Sequence, residues 1–217
     1  MNASCLVKGC EGMPAFAGLN GVACPVHWDL VKGSPMEIID NTVDFKTNPI
    51  KGDELLLGCG HSRVKQLSLK TKEWSDLVTL DMNREVNPDV VWDLIDLPLP
   101  FEDETFKELH IYDVLEHLGQ QGDYRLFFRQ FEEFHRILKP GGFLFATCPS
   151  WDEVWAWGDP GHTRMINEGS ITFLDQDSYD ETGDTPRTDY RFCYQGNFEI
   201  EHADHRNGKF CFVLRKK

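Results

Sequence analysis

Leu55-Leu56-Leu57-Gly58-Cys59-Gly60-His61-Ser62 is an apolar run that stops at two glycines one residue apart, before a segment able to begin a helix. Glycines in such a turn let main-chain N–H groups approach a ligand, and a helix start favours negative groups, so the stretch suits a nucleotide-like cofactor. Twenty-one residues after Gly60, Leu77-Val78-Thr79-Leu80 runs into Asp81. A carboxylate at the tip of a second parallel strand can accept hydrogen bonds from ribose hydroxyls. Taken alone, this pair fits a nicotinamide dehydrogenase equally well. A second constellation, Cys5, Cys10, Cys24 and His27, has the spacing Cys-x4-Cys-x13-Cys-x2-His. Three thiolates and an imidazole make a tetrahedral zinc set, and this segment holds too few large apolar residues to fold on a core of its own.

The elements that must position these residues follow from the apolar pattern. Asp53–Leu57 reads as the first strand, and Val90-Val91-Trp92-Asp93 as a short strand that ends in an acid. Phe106–Tyr112 reads as the next strand, with Asp113-Val114 just beyond it. Tyr124, Phe127, Phe128, Phe131, Phe134 and Leu138 recur at helical spacing and predict a buried stripe. Lys139-Pro140-Gly141-Gly142 closes that helix, and Phe143–Thr147 supplies a fifth strand. Residues 31–52 read as a connector, and 175–189 as an acidic mobile loop. Tyr190–Ile200 and Lys209–Leu214 form a hairpin about Asn207-Gly208. In open parallel sheets ligands bind at the carboxyl ends of the strands, which gathers Asp81, Asp93 and Asp113 on one edge.

Three further blocks follow the glycine turn in order. They are Asp93-Leu94-Ile95-Asp96-Leu97-Pro98-Leu99-Pro100-Phe101-Glu102-Asp103-Glu104-Thr105-Phe106, Asp113-Val114-Leu115-Glu116-His117-Leu118 and Arg136-Ile137-Leu138-Lys139-Pro140-Gly141-Gly142. Over residues 50–150 the chain resembles the class I S-adenosylmethionine (SAM)-dependent methyltransferases, especially the methyltransferase type 11 group. The resemblance implies an α/β, Rossmann-like fold: a mostly parallel seven-stranded sheet closed by a C-terminal antiparallel hairpin. It implies SAM at Gly58, Cys59 and Gly60, with Asp81 and Met82 at the ribose, Asp93 and Leu94 at the adenine, and Asp113 toward the sulfonium. Leu56 and Ser62 depart from the family pattern, which carries an acid and a third glycine at those places. Cys59 reads as a small turn-filling residue, since no base stands beside it.

If the acceptor must lose a proton, Asp113, His117 and His162 are the candidates to take it. His162 and Arg164 belong to Asp159-Pro160-Gly161-His162-Thr163-Arg164, a stretch similar to one that helps to build the acceptor pocket in the family. Trp151, Trp155 and Trp157 precede it, and either meet the substrate or cover apolar surface. The first residues resemble the Cys3His zinc motifs of phage-encoded proteins. The expected organisation is therefore a zinc-binding module at 1–36 and a methyltransferase domain at 37–217.

A net charge of -14 argues against broad, charge-driven contact with nucleic acid. No apolar run approaches membrane-spanning length, which predicts a cytoplasmic protein, and seven unevenly spread cysteines read as thiols or metal ligands rather than disulfides. The expected activity is transfer of a methyl group from SAM to an unidentified acceptor. No Asn/Asp-Pro-Pro-Tyr/Phe motif or Pro-Cys attack loop points to a DNA base. The alternative is a noncatalytic, zinc-containing adaptor on a methyltransferase-like scaffold.

Overall fold

Leu55 and Leu57 pack on one side of their strand and Leu56 on the other, and all three are buried. A strand apolar on both sides belongs in the middle of a sheet covered twice. The computed structural model describes residues 16–18, 21–23, 50–181 and 188–217. The chain divides into two units, Met1–Asp44 and Phe45–Lys217. In the first, β1 (Phe16–Gly18) pairs antiparallel with β2 (Gly21–Ala23). Cys5, Cys10, Cys24 and His27 lie outside the described residues, as does most of the 31–52 connector.

The second unit is built on β3 (Glu54–Leu57), β4 (Leu77–Asp81), β5 (Val90–Val91), β6 (Phe106–Tyr112), β7 (Leu138–Pro149), β8 (Phe198–Arg206) and β9 (Lys209–Lys216). Their order across the sheet is β5-β4-β3-β6-β7-β9-β8. The first five run parallel, and β9 is antiparallel to both of its neighbours. This is the Rossmann-like sheet with a C-terminal antiparallel hairpin that the sequence predicts. Register puts Leu57 opposite both Leu80 and Ile111, so the carboxyl ends of three central strands finish level.

Helix α1 (Tyr124–Ile137) crosses from β6 to β7. Asp123 caps it by accepting from Leu126 N, and Phe127, Phe128, Phe131, Phe134 and Ile137 are buried against the sheet. The helix hands over to β7 at Leu138, which already pairs with Phe106, so β7 begins earlier than Phe143. Pro140-Gly141-Gly142 bulges out of the ladder there, with Gly141 at positive φ. Asn207 and Gly208 both take positive φ and close the β8–β9 hairpin. That hairpin starts at Phe198 rather than Tyr190. Tyr190 and Tyr194 instead turn inward onto Phe128, with ring centroids 4.9 and 5.0 Å away. Within the stretch read as a mobile loop, Gln176–Glu181 forms a 3-10 turn with Tyr179 buried.

The second correction concerns the segment after the glycine turn. Residues 61–76 contain no helix and run as an irregular strap over the second face of the sheet. Tertiary pairing overrides local propensity, because Lys65 is buried with its ammonium 3.0 Å from Glu54 Oε1 and 2.8 Å from Glu108 Oε2. Leu67 N donates to the Tyr112 hydroxyl, and Trp74 Nε1 to Arg63 O. A small cluster of Leu56, Leu67, Tyr112, Phe145 and Val213 lies beneath this strap. No helix among the described residues is long and apolar enough to cross a membrane.

Glu108 also bonds to buried His110 at 3.1 Å. This hydrogen bond, together with Lys65, lowers its pKa from 4.5 to about 2. A depressed carboxylate stabilises the fold above its unfolded value, and the contribution disappears as pH falls from 4.5 toward 2. Urea titrations across that window are expected to show wild type and Glu108→Gln converging in stability as the solution is acidified. A gap that stays constant with pH would contradict this assignment.

Candidate functional site

Gly58 and Gly60 both sit at positive φ, +62° and +51°, where only glycine is unstrained. A Cβ on Gly58 would lie 2.5 Å from Val114 Cγ2, whereas one on Gly60 would meet nothing within 4 Å. The first glycine is thus required for packing, and the second borders open space. Cys59 N donates to Leu80 O at 3.1 Å, and Gly60 N to Asp81 Oδ2 at 2.8 Å. The other Asp81 oxygen accepts from Asn83 N at 2.8 Å. Glycine turn and strand-end acid are therefore one locked unit, half-buried and open on one side. Arg63 clamps it further, donating to Cys59 O and Gly60 O and, across the turn, to Val86 O. Burial pushes the Cys59 thiol pKa up, in keeping with a filler rather than a nucleophile.

Beside Asp81, the ends of β4 and β5 shape a recess of about 280 Å³ lined by Met82, Val91, Trp92, Asp93 and Asp96. Met82 is 67% exposed at its mouth. Asp93 Oδ1 accepts from Ile95 N, while Leu94 turns into the core. Leu94 is therefore not among the residues that line the recess.

On the other side of the turn stands Asp113, at φ +55°. Its carboxylate accepts from the Thr147 hydroxyl at 3.2 Å and pairs with Lys209. A short 3-10 turn, Leu115–His117, follows. Glu116 is 3% exposed, and neither of its carboxylate oxygens makes a hydrogen bond of normal geometry; its own main-chain N–H, the Cys148 thiol and His162 stand beside them. Burial pushes its pKa up to about 7.

The 159–164 stretch folds back onto this turn, with Thr163 N and Arg164 N both donating to Glu116 O. That brings His162 Nε2 to 3.9 Å from Glu116 Oε1, and the rings of His117 and His162 to 4.6 Å between centroids. The Arg164 side chain turns inward from this stretch. It is buried, donates to Gln120 O and Asp123 O, and lies over the Phe127 ring. Helix α2 (Val154–Gly158) precedes this stretch and leaves Trp151, Trp155 and Trp157 more than half exposed, so the tryptophans do not cover the core.

The strand order lays these groups out along one edge: the Met82–Asp93 recess, Asp81 with the glycine turn, Asp113, then Glu116, His117 and His162. A larger recess of about 500 Å³, lined among others by Gly52, Asp53, Asp76 and Lys139, opens at the opposite, amino ends of the strands. It gathers none of the predicted site residues. Sequence reasoning missed Glu116, Thr147 and Lys209. Glu116 carried one signal, an acid flanked by apolar Leu115 and Leu118 just past a strand end.

Residues 55–146 match the family model described as a methyltransferase domain. No curated protein matches the chain. Among solved structures, the chain is similar to a SAM-dependent methyltransferase from Archaeoglobus fulgidus, with 15% identity, 76% of this chain and 86% of that chain covered, and a TM-score of 0.49. A SAM-dependent methyltransferase from Mesorhizobium loti matches at 17% identity, covering 77% and 92%, with a TM-score of 0.45. One from Methanosarcina mazei matches at 19% identity, covering 80% and 97%, with a TM-score of 0.45. Over the matched residues the chain is similar to a methyltransferase domain, which supports methyl transfer to an unspecified acceptor.

Proposed function

We propose that the carboxyl edge of β3–β6 holds SAM and presents its methyl group to an acceptor above the Asp113–His117 turn. The observation that carries this reading is the Gly60 N to Asp81 hydrogen bond, which fixes a turn open to solvent beside a strand-end carboxylate. The residues present fit the cofactor. Asp81 keeps acceptor capacity for ribose hydroxyls beyond its two main-chain bonds, since a carboxylate offers about four lone-pair sites. Asp93 and the Met82–Trp92 recess would take the adenine. Cys59 stays a packing residue between the two glycines.

Bound SAM supplies an electrophilic methyl group on a sulfonium. The chain's own task is to exclude water and align the acceptor, which can lower a barrier by roughly 7–11 kcal/mol. Asp113 is engaged by Thr147 and Lys209, so it orders the turn rather than serving as a free base. His117 and His162 are left to accept a proton where the acceptor carries one. For the amino-terminal unit we keep Cys5, Cys10, Cys24 and His27 as a structural zinc set. Its support is ligand type and spacing, with the β1–β2 pair lying between Cys10 and Cys24 in sequence.

The test is calorimetric titration of the full chain with SAM, S-adenosylhomocysteine and NAD. SAM and S-adenosylhomocysteine are expected to bind and NAD not to. Asp81→Ala removes hydrogen bonds to a charged group worth about 1.5–3 kcal/mol each, so affinity should fall at least about a hundredfold. Folded protein that binds neither SAM nor S-adenosylhomocysteine would move the reading to a noncatalytic adaptor.

A further inference from the structure

Two clusters of acidic and histidine side chains occur among the described residues, and they differ in one respect. Glu54, Glu108 and His110 converge, but the Lys65 ammonium already sits between the two carboxylates. Glu116, His117 and His162 also converge, each with one ligand atom within 4.8 Å of the others, and no Lys or Arg ion-pairs with Glu116. The Glu116 carboxylate is buried with no hydrogen bond of normal geometry, and His162 Nδ1 is likewise buried without a partner. An ionised carboxylate left so costs several kcal/mol in the fold. A cation held between this carboxylate and the two imidazoles would offset that cost.

We propose that Glu116, His117 and His162 bind one divalent transition-metal ion at the acceptor end of the edge. Two imidazoles and one carboxylate suit Mn²⁺, Fe²⁺ or Zn²⁺. Two ligands on one such ion stand at most about 4.2 Å apart, twice a bond of about 2.1 Å. Small side-chain rotations close the observed span to that limit. The tautomer of His117 is already set, because Gly161 O can only accept and so takes Nδ1–H at 3.0 Å. That leaves the Nε2 lone pair for a metal, the usual support for a ligating histidine. Asp159 Oδ2 lies 3.9 Å from the same His162 Nε2 and so faces the site as a second carboxylate. Three protein ligands leave positions open, and these fit an oxygen donor of the acceptor, such as a hydroxyl. This last assignment rests on the methyl-transfer reading and takes the place of the two imidazoles as proton acceptors, since their lone pairs would then be on the metal; the metal site itself does not rest on that reading.

The probe is Mn²⁺, followed by electron paramagnetic resonance on full-length protein dialysed against EDTA. Thiolate sets favour softer ions, so Mn²⁺ discriminates against Cys5, Cys10 and Cys24. One tightly bound Mn²⁺ per chain is expected, weakened at least about a hundredfold in Glu116→Gln and His162→Gln, and unchanged in His202→Asn at an exposed position. Glu116→Gln removes an unpaired buried charge, so without metal it should melt no lower than wild type, while only wild type should gain melting temperature from Mn²⁺. Should a buried variant fail to fold, His117→Asn at an exposed position gives the same readout. Absence of tight Mn²⁺, or equal binding by wild type and Glu116→Gln, overturns the proposal. Mn²⁺ binding that persists in Asp81→Ala separates it from the fate of the SAM reading.

Discussion

Lys65→Ala is expected to remove a large share of the stability of the Phe45–Lys217 unit. The ammonium is 1% exposed, stands within 3.0 Å of both Glu54 and Glu108, and lies 5.2 Å from the centre of the Trp74 ring. Removing it leaves Glu54 buried without its cation and Glu108 short of one partner. Breaking a buried pair in this way costs about 3–5 kcal/mol, against a total of about 5–15 kcal/mol for a typical domain. Urea unfolding should show the loss directly. Because the residue also pins the 61–76 strap to the sheet, protease cleavage within 61–76 should accelerate in the same variant. The combination Glu54→Gln, Lys65→Met, Glu108→Gln replaces the ions by near-isosteric neutral groups, and should recover much of the loss. A Lys65→Ala variant within about 1 kcal/mol of wild type, the scale of an exposed ion pair, would show that water reaches this site.

Gly58→Ala is the second large effect, and it acts on the site as well as on the fold. Positive φ costs a non-glycine residue roughly 1–2 kcal/mol, and the new Cβ at 2.5 Å from Val114 adds an overpacking cost of roughly 1–3 kcal/mol. The two parts can be separated. Adding Val114→Ala should relieve the clash and leave the backbone cost, so the double variant regains part of the lost stability. SAM affinity should stay depressed in both, since the turn carrying Gly60 N toward Asp81 has moved. Full recovery of stability and binding in the double variant would show that φ at Gly58 is unimportant.

The contrast between these two residues explains how much the sequence disclosed. Gly58, Gly60 and Asp81 were legible because a backbone demand leaves few residue choices, and Gly60 and Asp81 do meet through a hydrogen bond. The α1 stripe and the Asn207-Gly208 turn were legible for the same reason, since period and turn geometry are local. Lys65 was not. Local propensity allowed a helix after Gly60, and only the distant partners Glu54 and Glu108 draw the segment out flat. Arg164 matched a motif but is consumed by the carbonyls of Gln120 and Asp123. Glu116 passed as one acid among many in a chain with 36, because burial is not written in composition. Tyr190 and Tyr194 resembled strand residues, and turned inward because α1 offered aromatic faces.

The two ends of the sheet order also bear on how copies of this protein meet in a crowded solution. An open sheet always terminates in two strands with free N–H and C=O rows, and such rows recruit further chains into fibrous aggregates. Here one terminus, β5, is only two residues long, too short to template an addition. The other, β8, carries Glu199, Glu201, Asp204 and Arg206 and is interrupted by a bulge between Ile200 and His202. A neighbouring β8 brought alongside would set these acids against one another and fail to keep register across the bulge. The apolar ladder of β7 is shielded in between, so a chain with a strongly hydrophobic central sheet guards against edge-to-edge polymerisation at the place where it is most exposed.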